Sequence, residues 1–373
     1  MPADRTAPLR VARSMSKIHV FFLAVPIAVV LRLVGAEPLL VFPVAILALM
    51  PAAWLMTWAT EELAAKSGPG VGGLLNVTFG NGPELILSFI ALIAGLHELV
   101  KASLVGSILG NSLLVLGTAT AVGGWRRERQ TFDRTVAQSY AGMLLLAVAV
   151  LLLPSLMQLA RGGSLPKVDA GKIHYSFDIN ALSIAVAAVL IISYGAGMFF
   201  SLGTHERIFN PRDESSVDRM PGLSVWAAIG LLALGGVLVG VVSEVVVDEI
   251  AEITRTLGVS EFFIGIVVVA IVGNAAEHWI AIRAGYRNEM HLAMTVAFGS
   301  SAQIALVVAP LLALLSYSLA TPLALVFNPY EIGALFAAIV IAAYAAVEGE
   351  STWFKGVQLL ALYLAFVVLF FLA

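Results

Sequence analysis

Between Met290 and Tyr330 the chain carries no Asp, Glu, Lys or Arg. Residues 39–60, 102–125, 135–160, 179–204 and 220–243 are charge-free as well. A helix that crosses a bilayer needs about 20 mostly apolar residues. Each of the five shorter runs supplies one. The run 290–330 is too long for one span, and the turn-like stretch 316–322 divides it, with Pro310 bending the first part. Residues 18–35 give a first span and 356–373 a last one. Two more apolar segments, 71–97 and 262–286, are each interrupted by a glutamate in a buried-looking position. With 323–347 the count reaches eleven. These segments are continuous apolar runs, not period-two alternations, which excludes a β-barrel.

Composition narrows the function classes. The chain is 60% hydrophobic and 12% charged, where soluble domains run at about 45–50% and about 25%. Mean hydropathy is +0.96. An ordinary soluble enzyme, a disordered chain and a nucleic-acid-binding module are excluded, so the expected surroundings are the lipid bilayer. The net charge of −3 points to no polyanionic partner, and the absence of cysteine removes disulfides, thiolate metal sites and thiol catalysis. The first apolar run is too long for a cleavable signal peptide and no small-x-small site follows it, so it is expected to stay as a true first helix. No resident cofactor is expected. Oligomeric state is left open, a homo-oligomer included.

Orientation follows from Lys and Arg in short loops. With the N-terminus inside and eleven alternating spans, 15 of the 21 basic residues fall inside and six outside. The six are Arg32, Lys101, Arg161, Lys167, Lys172 and Arg255.

An internal repeat is visible. Val77-Thr-Phe-Gly-Asn-Gly-Pro-Glu84 resembles Ala270-Ile-Val-Gly-Asn-Ala-Ala-Glu277. Both read Gly-Asn-x-x-Glu within an apolar helix. Gly106-Ser107 and Gly299-Ser300 follow at the same offset of 193 that separates Glu84 from Glu277. Thr60-Glu61 before the first motif resembles Ser243-Glu244 before the second. The expected organisation is an N-terminal arm and first helix over 1–37, five helices over 38–204, an acidic polar linker over 205–219 and five more helices over 220–373. Five is odd, so the second copy enters the membrane the opposite way. Such inverted repeats carry substrate sites at their interface near the midplane in many secondary transporters.

A carboxylate at mid-bilayer depth costs roughly 2.5–3.5 kcal/mol on insertion scales, so it takes a partner, a proton or a wet cavity. Gly80, Gly82 and Pro83 loosen the helix before Glu84, and Gly273 does so before Glu277. Loosened turns expose backbone carbonyls, which survive at membrane depth where they line a cavity or are covered by protein. Asn81 and Asn274 can offer amide oxygens or tie helices together. Ser107, Ser300, Gln303 and Asn111 suit close packing or cavity lining. The result is an all-oxygen set, suited to Ca²⁺ more than to Mg²⁺, which prefers a tighter octahedron and keeps its waters. Soft metals would need Cys or His clusters. Two facing carboxylates match one divalent ion. Once the ion leaves, repulsion and desolvation both favour proton uptake, which is a physical scheme for cation/proton exchange. His278 could relay protons or hold the carboxylate, or be a polar residue satisfied on its helix. Glu61 and Glu244 could gather cations at an entrance, or sit at helix ends in water. The linker could be a solvated loop or a regulatory cation-binding segment.

The residues carrying these motifs are Gly73-Leu-Leu-Asn-Val-Thr-Phe-Gly-Asn-Gly-Pro-Glu-Leu-Ile86, Gly106-Ser-Ile-Leu-Gly-Asn-Ser-Leu-Leu-Val-Leu-Gly117, Ile271-Val-Gly-Asn-Ala-Ala-Glu-His278 and Gly299-Ser-Ser-Ala-Gln-Ile-Ala305. In these the chain resembles the cation/proton exchangers of the calcium:cation antiporter superfamily, over about 38–373. The resemblance implies Ca²⁺ export or sequestration driven by protons. It maps the central acids onto Glu84 and Glu277, and accessory polar positions onto Asn81, Asn274, Ser107, Ser300 and Gln303. The chain departs from it at Gly82-Pro83 and at Trp279. Sodium- or potassium-coupled exchange and a cation channel are the alternatives. An intramembrane enzyme is disfavoured, because His97-Glu98 has Lys101 where a metalloprotease motif needs its second His. With no targeting extension, a prokaryotic cytoplasmic membrane is expected.

Overall fold

The computed structural model describes residues 21–168, 171, 173–204, 223–319 and 321–373. The expected basic arm before the first helix and the linker 205–219 lie outside the described residues. Twelve helical elements are used below: α1 Ala24–Leu33, α2 Pro38–Phe79, α3 Gly82–Ile93, α4 His97–Gly124, α5 Arg134–Ala160, α6 Phe177–Thr204, α7 Val225–Leu257, α8 Glu261–Gly273, α9 Ala275–Tyr286, α10 Met290–Ser316, α11 Pro329–Ala346 and α12 Trp353–Leu372. Among the described residues eight helices are long and apolar enough to cross a membrane, and α8 with α9 makes a ninth, bent by 62°. The shorter α1 and α3 are apolar too. One two-stranded antiparallel ladder, β1 Gln130–Thr131 with β2 Glu350–Ser351, joins two loops.

Burial sorts the helices into a centre and a rim. The most apolar stretch of α4 is 94% buried, against 22% for those of α6 and α12. Exposed Phe, Leu, Ile and Val side chains cover the rim helices, among them Ile192, Val237, Phe336, Leu364 and Phe371. In water such a surface would be an aggregation liability; against acyl chains it is the expected solvent face. An all-α membrane protein is what the chain forms.

Three features depart from the eleven-span expectation. Helical hydrogen bonding runs unbroken through α2, yet a Cβ built on Gly72 would lie 2.5 Å from the carbonyl oxygen of Ala64. Residues eight apart in a straight helix are about 12 Å apart along the axis. The chain therefore doubles back within α2, where the sequence reads Ser67-Gly-Pro-Gly70, and its membrane-crossing part is Pro38–Ser67. Secondly, α7 does not stop near residue 243. Buried Val245, Val246, Val247, Ile250 and Ile253 carry the helix on to Leu257. It ends at Gly258 in the left-handed region, φ +65°, a conformation open to glycine. Thirdly, residues 323–328 are extended, not helical, and α11 starts at Pro329 under an Asn328/Glu331 capping box.

That extended segment is buried, and buried backbone must find partners. Leu323 N–H donates to Ser316 Oγ (2.7 Å), Leu325 N–H to Ser183 Oγ (3.1 Å) and Phe327 N–H to Ser155 Oγ (2.9 Å). The Val326 carbonyl accepts from Lys101 Nζ at 3.0 Å. Serines on α5, α6 and α10 thus replace the missing helical ladder.

Candidate functional site

Both glutamate motifs sit where a helix breaks. Asn81 separates α2 from α3 with φ −97° and ψ 25°, and Asn274 separates α8 from α9 with φ −91° and ψ 13°. The two are 193 residues apart and have the same non-helical backbone. Pro83 falls in the first turn of α3, where an amide N–H is not needed. Gly82 packs against the end of the Met56 side chain, which would have to move aside for a Cβ there.

Glu84 and Glu277 occupy the first turns of α3 and α9, at the positive ends of two helix dipoles. The two half-buried carboxylates lie close enough for their charges to interact. Glu84 reaches across to α8: its Oε1 would be 3.4 Å from a Cβ on Gly273. Ser300 lies beside the Glu277 carboxylate.

The asparagines are held by partners from the other half of the chain. Asn81 Nδ2 donates to Gln303 Oε1 at 2.6 Å. Asn274 Nδ2 donates to Ser107 Oγ at 2.8 Å and to the Ala270 carbonyl at 2.9 Å. Asn111 Nδ2 reaches Asn274 Oδ1 at 3.5 Å. These contacts fix the amide orientation of Asn81, whose Oδ1 is buried without a hydrogen-bond partner, as is Glu277 Oε2. Orphaned buried oxygens are costly unless something electropositive meets them, and the donor set is oxygen only. Among the described residues no group of three or more His, Asp and Glu is spaced to hold a metal; the oxygens gathered here come from two carboxylates, amides and hydroxyls.

A cavity of about 680 Å³ leads to this centre from one side. Glu61, Asn76, Gly80, Glu277, Ser300 and Gln303 line it, with Tyr140, Tyr194 and Thr295. Glu84, Asn81, Asn274, Gly273 and Ser107 do not. The cavity therefore ends on Glu277, and Glu84 lies behind it. Glu61 is mid-helix in α2 and faces this cavity with Glu277. Glu244, its sequence counterpart, is exposed on α7 and away from the cavity. His278 is buried with Nε2 unpartnered, off the cavity wall. Trp279 is 60% exposed and points away from the centre. The tyrosines and Asn76 carry no charge that marks them in the sequence, and the tyrosines come from helices α5 and α6, outside both motifs.

Three π-helical stretches flank the centre: Gly110–Val115 in α4, Ile264–Val269 in α8 and Ile304–Val308 in α10. The first and third fall at equivalent places, offset by about 193. Such π-bulges often mark functional sites.

Two broken helices that bring acidic first turns together at the end of a one-sided cavity define a membrane transporter's centre. The profile described as sodium/calcium exchanger protein matches residues 37–203 and 227–372, and the chain belongs to that family. A Ca(2+)/H(+) antiporter of Aphanothece halophytica is 37% identical over 96% of this chain and 97% of the relative. The Ca(2+)/H(+) antiporter ChaA of Bacillus subtilis is 36% identical over 95% and 99%. Among solved structures, native YfkE matches with a TM-score of 0.80 at 33% identity, covering 95% of this chain and 100% of YfkE. The H+/Ca2+ exchanger CAX shares the fold at TM-score 0.69 and 13% identity, over 96% and 92% of the two chains.

Proposed function

We infer that the protein is a secondary active antiporter exchanging Ca²⁺ for H⁺ across the membrane in which it is embedded. The observation that carries this reading is the meeting of Glu84 and Glu277 at the blind end of a one-sided cavity. Relatives named Ca(2+)/H(+) antiporter, 36–38% identical across nearly the whole chain, support it. Sodium- or potassium-coupled exchange is not favoured, because the sodium-calcium exchanger structures stand at 18% identity, a likeness of fold alone. A channel fits less well, since the cavity stops at the paired acids. The protein is a transporter and not an enzyme in this account, and needs no resident cofactor.

Ca²⁺ enters along the cavity past Glu61. Glu277 and Glu84 neutralise it, and Asn81 Oδ1, backbone oxygens near Gly80 and Gly273, and hydroxyls of Ser107 and Ser300 complete an oxygen shell of the size Ca²⁺ takes. Gln303 and Asn274 hold the amides in place. When the ion departs, protons replace it on the carboxylates. Only a neutralised centre rearranges at acceptable cost, so cation and protons cross in alternation. Glu244 serves as the matching entrance when the other side opens, and His278 stands next to Glu277 as a proton relay.

The finer architecture follows the same logic. Eleven spans are obtained when the short helices α1 and α3 are counted as crossing, α3 with the doubled-back end of α2. Residues 38–204 and 220–373 form inverted five-helix repeats, 1–37 stands outside them and 205–219 links them. The matched breaks at Asn81 and Asn274, the matched π-stretches and the gap in the family match at 204–226 support this layout. The N-terminus is inside, and the membrane is a prokaryotic cytoplasmic membrane. The test is radiolabelled calcium flux into proteoliposomes under a pH gradient alone. Uptake is expected; uptake that requires a sodium gradient would overturn the coupling.

A further inference from the structure

The protein buries a second set of ionisable groups, far from Glu84 and Glu277. Glu98 and Lys101 lie at the start of α4, and Glu331 at the start of α11. Their residues are 1%, 3% and 0% exposed. Lys101 Nζ pairs with Glu98 Oε1 at 2.5 Å and donates to the Val326 carbonyl at 3.0 Å. Glu331 Oε2 accepts from the Asn328 N–H at 2.7 Å. Four polar atoms remain buried without a hydrogen-bond partner: Glu98 Oε2, Glu331 Oε1, Asn328 Nδ2 and the Tyr175 hydroxyl. Glu331 interacts electrostatically with Lys101 and Glu98, and Tyr175 with both acids, so the four side chains form one cluster. A void of about 10 Å³ touches Glu98, Lys101 and Tyr175, about the room that one water needs.

The cluster lies at the opposite end of the molecule from the cavity. Helix α5 lines the cavity near its start, at Ser139, and the loop after its end brings in Tyr175. Helix α10 lines the cavity from Leu292 to Gln303, and the segment after its end, 323–328, covers Lys101.

Two carboxylates face one ammonium, and one negative charge is left over. A buried charge without a counter-charge is not carried by a fold; the group neutralises instead. A metal cation fits poorly, because the Lys101 ammonium and the Asn328 amide N–H groups already point into the cluster. A proton fits: on Glu331 Oε1 it removes the surplus charge and turns an orphaned acceptor into a donor. Glu98 Oε2, itself a buried acceptor without a partner, can receive that donor. His97 borders the same void, but both its ring nitrogens lie 3.1 Å from carbonyls, of Gly95 and Thr321.

We propose that Glu331, with Glu98, Lys101 and Tyr175, forms a second proton-binding site that serves the face opposite the cavity. A neutral Glu331 leaves Lys101 on Glu98 and on the Val326 carbonyl, so the extended segment stays closed over the site. An ionised Glu331 contests the ammonium and loosens that hold. Proton exchange at this face is thereby tied to the cover that opens there.

The test is infrared spectroscopy of the purified E61Q/E84Q/E277Q protein, in which the acids of the transport centre are gone. A band from a protonated, buried carboxyl group is expected at neutral pH. It should vanish on adding E331Q, which keeps the helix cap, and persist on adding H97Q. No band in the triple variant, a band that survives E331Q, or a band abolished by sodium ions would each overturn the proposal. Absence of the band from the triple variant overturns the proposal even where E331Q does not fold, and E331D, which keeps a carboxyl in the cap and should shift the band without removing it, then assigns it. In vesicles of uniform orientation, E331Q alone should retain calcium flux and the pH dependence set by Glu84 and Glu277, but its pH profile should shift at the face opposite the cavity and not at the cavity face. An unchanged pH profile would also overturn the proposal.

Discussion

Gly106 is where α4 meets α8 most closely, and Gly106→Ala tests that contact. A Cβ at this position would lie 2.0 Å from the carbonyl oxygen of Ile266, 2.6 Å from its carbon and 2.7 Å from its Cα. All three atoms are backbone, so no side chain can swing aside. A carbon–oxygen contact relaxes at about 3.3 Å, which means α4 and α8 must part by roughly 1.3 Å. Neither can do so freely, because α4 is the most buried helix of the bundle. Overpacking of this kind costs about 1–3 kcal/mol. The same movement stretches the Asn274–Ser107 hydrogen bond next door, worth about 0.5–1.5 kcal/mol. The expected total is about 2–4 kcal/mol, or a roughly thirtyfold to thousandfold fall in the folded fraction relative to unfolded. The assay is reversible denaturant unfolding in detergent micelles. Gly110→Ala is the control, since nothing lies within 4 Å of its Cβ. Equal stability of Gly106→Ala and Gly110→Ala would refute the packing argument.

Other outcomes follow from the same geometry. Gly299→Ala, at the matched position, meets only Tyr140 Cε1 at 3.9 Å; it should fold normally yet transport slowly, because α10 must make the close contact when the other side opens, and undiminished turnover in flux assays would contradict the inverted repeat. Asn274→Ala removes donors to Ser107 and Ala270 and should cost about 1–3 kcal/mol of stability together with calcium affinity, read by unfolding and by calcium titration. Ser155→Ala strands the buried Phe327 N–H and should cost about 1–3 kcal/mol with no change in calcium affinity, read by the same two measurements. Glu61→Gln should raise the half-saturating calcium concentration measured from the cavity side, while Glu244→Gln should raise it only from the other side.

The proposed transport centre is legible because lipid makes charge conspicuous. Glu84 and Glu277 each interrupt an apolar run, and the repeated Gly-Asn-x-x-Glu pairs them in the sequence itself. Their helix breaks were legible too, through Gly80, Pro83 and Gly273. The second cluster was not. Glu98, Lys101 and Glu331 lie at segment ends, where charge ordinarily meets water, and by sequence Lys101 falls among the loop cations. Burial comes from an extended stretch whose backbone is satisfied by Ser155, Ser183 and Ser316, residues distant in sequence that hydropathy treats as neutral. The Asn328-Pro-Tyr-Glu331 cap was readable and marks where α11 begins; the apolar run 323–328 hid it. Glu61 and Glu244 hold matched places in the sequence but different surroundings in the structure: Glu61 lines the cavity and Glu244 does not, a difference that similarity between two motifs does not encode.

The central claim is that calcium and protons compete for one pair of carboxylates. The direct test is proton release from purified protein in weak buffer on addition of calcium, recorded from acid to alkaline pH. Protons are expected to be released on binding, with calcium affinity falling as pH is lowered. Glu84→Gln and Glu277→Gln should each reduce both signals while the protein remains folded. Calcium binding without proton release, or full release in both variants, would contradict the account.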